Sequence, residues 1–222
     1  MAKYAYIKEL RKPFSVGNIN FERKLPLKFL QFSGKFIIKM ADKYCPELGV
    51  KKRKISFPMN DGQNIFCYLL EPENHPEDLP VIIYYHGGAF IFPVQKMMIQ
   101  NAEYFAKHVG CRVFVPDYRL APDYPFPIPL EDCYSTLLHI AEQANEYHID
   151  MSRLILYGDS AGGCLAAGVA HLCRDRKGPK PIGQMLIYPV TDHLPRWSSL
   201  DEYKDAVWTR SANRHMWNLY LK

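Results

Sequence analysis

Between Leu154 and Gly163 the chain reads LILYGDSAGG, an apolar strand-like run that breaks at once into small residues. Gly158-Asp159-Ser160-Ala161-Gly162 fits the pattern G-x-S-x-G, with a small-residue helix, SAGGCLAAGVAHLCRDR, following directly. A strand that turns into a helix over so few residues forces the central serine into a strained backbone conformation. It also brings helix and strand so close that only glycine fits at flanking positions. The chain must therefore build a strand covered by its own following helix, which is the unit of a parallel sheet.

The rest of the sequence repeats that unit. KISFPM and IFCYLLEP read as two strands joined by a turn at NDGQN. VIIYYHGG is a buried strand, IQNAEYFAKHVG a helix stopping at Gly110, and CRVFVPDY a strand. PLEDCYSTLLHIAEQANEY has helical spacing, with Leu130, Cys133, Leu137, Leu138 and Ala141 on one face. LILYGD, the small-residue helix and the strand QMLIYPV follow. Alternation of this kind predicts an α/β fold, a mostly parallel sheet with helices on both faces. Ligands bind such sheets beyond the C-terminal ends of the strands, where HGGAF, DYRLAP, GDSAGG and YPVTD fall.

The 222 residues suit one sizeable domain, and no run is long and apolar enough to span a membrane. MAKYAYIKEL is charged too early for a signal peptide. The six cysteines form no C-x-x-C pair, and Cys164 and Cys173 stand too far apart on one helix to bridge. Free thiols in a reducing cytoplasm are the expectation. The net charge of +5 is uneven, since residues 1–54 hold 14 Lys and Arg against 4 Asp and Glu. Those lysines are interleaved with FLQFSGKFIIKM, one apolar helical face, which favours a solvated, packed helix over a nucleic-acid or membrane patch.

The chemistry centres on Ser160. The turn lifts its hydroxyl above the sheet, and Ala161 offers an N–H at the helix start. His86-Gly87-Gly88-Ala89-Phe90 follows another strand, where a glycine pair lets backbone N–H groups face a cavity. His86, at the strand end, suits pinning that loop by a hydrogen bond. Asp117, Arg119 and the prolines of DYRLAPDYPFP read as a braced crossover.

HGGAF, DYRLAPDYPFP, GDSAGG and LIYPVTD together resemble the hormone-sensitive-lipase-type family of α/β-hydrolase esterases, which includes bacterial acetyl esterases. The resemblance covers roughly residues 50–222. It implies that Ser160 is a serine nucleophile and that Gly87, Gly88, Ala89 and Ala161 form the oxyanion hole, with His86, Gly158, Asp159 and Gly162 supporting loop and elbow. Ala89 stands where the family usually has a third glycine, and Asp123 where it more often has Glu. Residues 1–50 and 196–222 resemble two segments of the family's helical cap, over a core at 51–195. Ser198 or Ser199 is the expected N-cap of the second segment. No metal or organic cofactor is implied.

An α/β-hydrolase triad runs Ser, then Asp or Glu, then His. After Ser160 the chain offers His171, His193 and His215. His171 is eleven residues along the elbow helix, out of reach. His193 adjoins Asp192, but neighbours in extended chain point opposite ways. His215 lies in a cap-like helix. The family carries its acid in a D-x-L-type loop after a later strand and its histidine in an H-G-F-like turn. D-x-L occurs here only as Asp192-His193-Leu194, directly after QMLIYPV, and H-G-F not at all, so the sheet is expected to be incomplete at its C-terminal side and the chain, taken alone, to lack base and acid. The resemblance implies a carboxylic ester hydrolase acting on a small-molecule ester, truncated and inactive alone. Two alternatives are a non-catalytic ligand binder, as the family-like plant gibberellin receptors are, and an enzyme completed by a partner. A homo-oligomer or a complementary C-terminal fragment are the protein partners this reading allows.

Overall fold

The structure is a computed structural model that describes residues 37–222 apart from 48, 76, 195, 197 and 199–207. Among the described residues six strands form one sheet in the order β1-β2-β4-β3-β5-β6. They are β1 (Val50–Pro58), β2 (Asn64–Pro72), β3 (Leu79–Tyr85), β4 (Arg112–Asp117), β5 (Ile149–Asp159) and β6 (Gly183–Ile187). The last four in spatial order, β4-β3-β5-β6, run parallel, whereas β1 pairs with β2, and β2 with β4, antiparallel. The sheet is thus mixed, its antiparallel margin made by the hairpin read at NDGQN.

Four helices are described in full: α1 (Lys96–Val109), α2 (Ile128–Glu142), α3 (Ala161–Asp175) and α4 (Arg210–Tyr220). Strand alternation sorts the core onto the two faces. Cys67 and Leu69 of β2, Val81 and Ile83 of β3 and Phe114 of β4 face one side with Leu137 and Ile140 of α2 and Leu165 and Val169 of α3. Tyr68, Leu70, Ile82, Tyr84, Val113 and Val115 face the other, against Met98, Ile99, Ala102 and Ala106 of α1. Burying an apolar side chain fully contributes about 1.5–3 kcal/mol, so these two clusters outweigh any single polar contact in the fold.

The strands differ from the sequence reading at both margins. β1 begins at Val50 and includes the charged run KKRK, with most of its side chains exposed or half-buried. An edge strand tolerates such residues, and charge there blocks unwanted pairing. β6 is shorter than QMLIYPV, because Tyr188 takes a φ of 38° and leads the chain out of the sheet. Among the described residues β6 pairs only with β5, so its outer edge is open.

Residues 37–43 of the segment expected as a helical annex over 1–50 are helical, and residues 1–36 lie outside the described residues. Of the expected helix caps, Ser198 is in an exposed turn and Ser199 lies outside the described residues. α4 starts later, capped by Thr209, whose hydroxyl accepts the Ala212 N–H at 3.2 Å. Arg119 braces the crossover after β4. Its guanidinium makes two bonds to the buried Asp132 carboxylate, at 2.6 and 2.9 Å, and a third contact to Asp61.

Candidate active site

Ser160 sits between β5 and α3 with φ 53° and ψ −118°, a conformation that costs an L-residue on the order of 1–3 kcal/mol. Backbone bonds on both sides hold it there. Its N–H donates to the Ile187 carbonyl at 2.9 Å, and its own carbonyl accepts the N–H of Val190 at 3.1 Å and of Cys164 at 3.2 Å. The strain is therefore anchored to the end of β6 as well as to the helix.

Close approach explains the flanking glycines. A Cβ on Gly162 would lie 1.9 Å from the Tyr85 carbonyl oxygen and 2.6 Å from that of His86. One on Gly158 would lie 2.2 Å from the Gly162 carbonyl oxygen. The elbow is thereby pressed against the end of β3, where the HGGAF loop begins. The two motifs, 72 residues apart between Gly87 and Asp159, meet in space.

The contact is specific. The Gly87 N–H donates to Asp159 Oδ1 at 3.2 Å, and a Cβ on Gly87 would lie 2.3 Å from Oδ2 of the same carboxylate. Gly88, at φ 120°, has the Phe92 backbone where a Cβ would be. Its carbonyl accepts the N–H groups of Ile91 and Phe92 at 3.0 and 2.8 Å. Ala89 is left-handed, at φ 56°. Among the described residues the Gly88 and Ala89 N–H groups have no protein acceptor, while that of Gly87 is taken by Asp159. Ala161 is the first residue of α3, so its N–H belongs to the helix end where donors lack intrahelical partners.

His86 is fully buried. Its Nδ1 lies 2.7 Å from the Gly87 carbonyl oxygen, which can only accept, so Nδ1 carries the proton. Its ring stacks on Tyr118 at 4.2 Å, and the Tyr118 hydroxyl donates to the His86 carbonyl at 2.7 Å. Burial pushes the imidazole down to about 4, and the Gly87 carbonyl only partly opposes this. Asp117 faces it, Oδ1 at 4.0 Å from Nε2, and burial raises that carboxyl to about 6. Burial also raises the carboxyl of Asp159, against the Tyr84 hydroxyl and the Gly87 N–H.

The three histidines after Ser160 are elsewhere. His171 is exposed on α3 and His215 exposed on α4. The His193 ring packs edge-on against Trp217 at 6.0 Å. Its neighbour Asp192 accepts from Leu194 N–H at 2.9 Å and pairs with Arg196 at 3.1 Å. Among the described residues no histidine is hydrogen-bonded to Ser160.

Residues 82–222 match the family described as the alpha/beta hydrolase fold. The chain belongs to the α/β-hydrolase family. Among its relatives is carboxylesterase NlhH of Mycobacterium tuberculosis, 35% identical over 172 residues, which is 76% of this chain and 52% of that protein. Esterase LipI of the same species is 36% identical over 164 residues, 72% of this chain and 50% of that protein. The chain thus spans about half the length of these curated relatives. Among solved structures, a bacterial heroin esterase superposes with a TM-score of 0.79 at 32% identity, over 87% of this chain and 62% of its own. EstE1, a thermostable carboxylesterase from a metagenomic library, does so with a TM-score of 0.76 at 30% identity, over 88% and 67%. The resemblance drawn from HGGAF and GDSAGG is therefore to the right family, and the six-stranded sheet is an α/β-hydrolase sheet with β6 at an open margin.

Other residues around this α/β-hydrolase elbow escaped the sequence reading. Phe90 stacks on Tyr220 of α4 at 3.8 Å and tilts against Trp217 at 5.8 Å, joining the loop to the C-terminal helix. The Tyr220 carbonyl also accepts the Phe126 N–H at 2.7 Å. The aromatic face of HMWNLY, spaced three residues apart, was the available signal. Tyr118 gave none beyond its place after β4.

Proposed function

We propose that this protein is a carboxylic ester hydrolase in which Ser160 is the nucleophile and the N–H groups of Gly88, Ala89 and Ala161 bind the oxyanion. The carrying observation is the strained Ser160 turn with the HGGAF loop held beside it, at Gly87–Asp159 and at Gly162. In the reaction the Ser160 hydroxyl loses its proton to a base while Oγ bonds to the ester carbonyl carbon. The carbonyl electron pair moves onto oxygen, where backbone donors and the α3 N-terminus stabilise it. Collapse expels the alcohol with a proton, and water then deacylates the serine. Gly87 is the weakest member of the expected oxyanion set, because its N–H is already engaged. His86 serves as the loop pin, supported by its burial and its bond to the Gly87 carbonyl.

In this reading the base and acid come from outside the described residues, which accords with relatives of which the match covers only 52% and 50%. Residues 1–50 and 196–222 act as cap segments over a 51–195 core, supported by the packing of Tyr220 on Phe90. The substrate is a small ester with a modest acyl group. A cytoplasmic setting accords with six unpaired cysteines. No described helix is long and apolar enough to cross a membrane. A companion segment that pairs with β6 and brings the base is the second reading, favoured by the open edge of that strand.

The test is hydrolysis of p-nitrophenyl acetate by the purified chain, with and without added imidazole, against Ser160→Ala. Little turnover alone and a Ser160-dependent rate with imidazole are expected, since an oxyanion hole and binding retain about 10³–10⁴-fold over water without a full triad. Robust turnover that collapses in His193→Ala or His215→Ala would place the base within this chain and refute the assignment of the missing groups.

A further inference from the structure

We infer that Asp159 is a positioning residue for the oxyanion hole: by capturing the Gly87 N–H, its carboxylate fixes which N–H groups of the HGGAF loop remain free to face Ser160. The inference rests on the ester-hydrolase reading above. A carboxylate beside a site where negative charge develops is electrostatically adverse to that charge, and burying it carries a desolvation penalty. Asp159 is nonetheless placed next to the nucleophile and half-buried. What the structure supplies in return is a bond from the loop, Gly87 N–H to Oδ1 at 3.2 Å.

The fit on the loop side is equally particular. Gly87 has no space for a side chain, because a Cβ would lie 2.3 Å from Oδ2 and 3.0 Å from the Asp159 carbonyl oxygen. The loop backbone therefore lies directly on the carboxylate. Downstream of that contact the chain turns through the left-handed conformations of Gly88, Ala89 and Phe90. A peptide fixed at Gly87 sets the direction of the next two N–H groups, which are the ones without protein acceptors. Without the carboxylate the Gly87 N–H would be a third free donor and the loop would lose its register against the elbow. Tethering of this kind acts through preorganisation, since donors that need no reorientation during reaction bind the oxyanion more strongly.

The experiment compares the wild type with Asp159→Asn, which keeps an oxygen acceptor, and Asp159→Ala, which has none. Amide hydrogen exchange of residues 86–90 reports the loop. Ser160-dependent hydrolysis of p-nitrophenyl acetate in imidazole buffer, corrected with Ser160→Ala, reports the hole. Asp159→Ala should speed exchange at Gly87 at least about tenfold and slow hydrolysis about tenfold, whereas Asp159→Asn should stay within about threefold on both. As a check on folding, Gly87→Ala should lower the melting temperature, and Gly87→Ala with Asp159→Ala should recover part of the loss. Unchanged exchange at Gly87 in Asp159→Ala overturns the inference, as does an Asp159→Asn that fails as fully as Asp159→Ala. Faster exchange with unchanged hydrolysis also overturns it, because Asp159 would then hold the loop without serving the hole. A wild type with no Ser160-dependent rate refutes the ester-hydrolase reading itself, a result separable from all of these.

Discussion

Buried His86 and half-buried Asp117 have protonation preferences that oppose each other. His86 in the fold titrates at about 4, below its ordinary 6.5, so the unfolded chain takes up its proton first as pH falls. The stability it lends is whole above 6.5 and is lost between 6.5 and about 4. Asp117 is raised from 3.8 to about 6, so its burial penalty is whole above 6 and is relieved as pH falls towards 3.8. The two terms nearly offset each other over the same acid range. Asp117→Asn should unmask the histidine term: urea denaturation at pH 7 and pH 5 should show a loss of about 2 kcal/mol, against less than about 1 kcal/mol in the wild type. Equal slopes would show that the pair does not govern acid stability. Ala89 offers a simpler case. At φ 56° an alanine bears left-handed strain that glycine does not, so Ala89→Gly should raise stability by about 1 kcal/mol in the same assay. An unchanged or lowered midpoint would mean that loop packing, not backbone strain, decides at that position.

The β5–Ser160–α3 elbow is where sequence and structure agree most closely, and the reason is steric. Gly158 and Gly162 are required by contacts within about 2 Å of their missing side chains, and such contacts leave no latitude in the sequence. Gly162→Ala should therefore abolish soluble folded protein, as judged by circular dichroism, since neither the Tyr85 carbonyl nor the helix can yield cheaply. A folded Gly162→Ala protein would mean that α3 can slide on the sheet. The central strands β3 and β4 were legible for a similar reason: strands buried on both faces must be apolar on both. The charged margin was not. In β1 the run KKRK gives no period of two, because one strand edge and much of both faces meet water. The cap of α4 by Thr209 was not singled out, because one threonine among many polar residues gives no signal of its own. The partners of loop residues were also hidden, since Asp132 for Arg119 and Asp159 for Gly87 are set by tertiary approach, not by local spacing. Arg119→Ala should cost about 3–5 kcal/mol, because it strands the Asp132 carboxylate in a buried site. A cost under about 1 kcal/mol, measured by urea denaturation, would show that water reaches that carboxylate.

Across the whole molecule the sheet is asymmetric. Its β1 margin carries Lys51, Lys52, Arg53 and Lys54, whereas the β6 margin, Gly183–Ile187, has no charge at all. Met185 is 48% exposed, with Ile182 at 65% and Tyr188 at 73% beside it. An uncharged, unpaired edge is a template for another chain. Light scattering across a concentration series should therefore show self-association, reduced by Met185→Lys, and a monodisperse wild-type monomer at high concentration would refute this. The strand order carries a further consequence, for synthesis. β3 lies between β4 and β5, so one of its edges is filled by a strand that leaves the ribosome some sixty residues after it. Until β5 arrives, VIIYY is bare along that side, with nothing polar to discourage a wrong neighbour. The nascent protein should be a client of holding chaperones through this interval. The arrival of the segment that carries Ser160 then closes the central sheet, so that the same stretch of chain that is proposed to perform the chemistry also ends the period of greatest vulnerability.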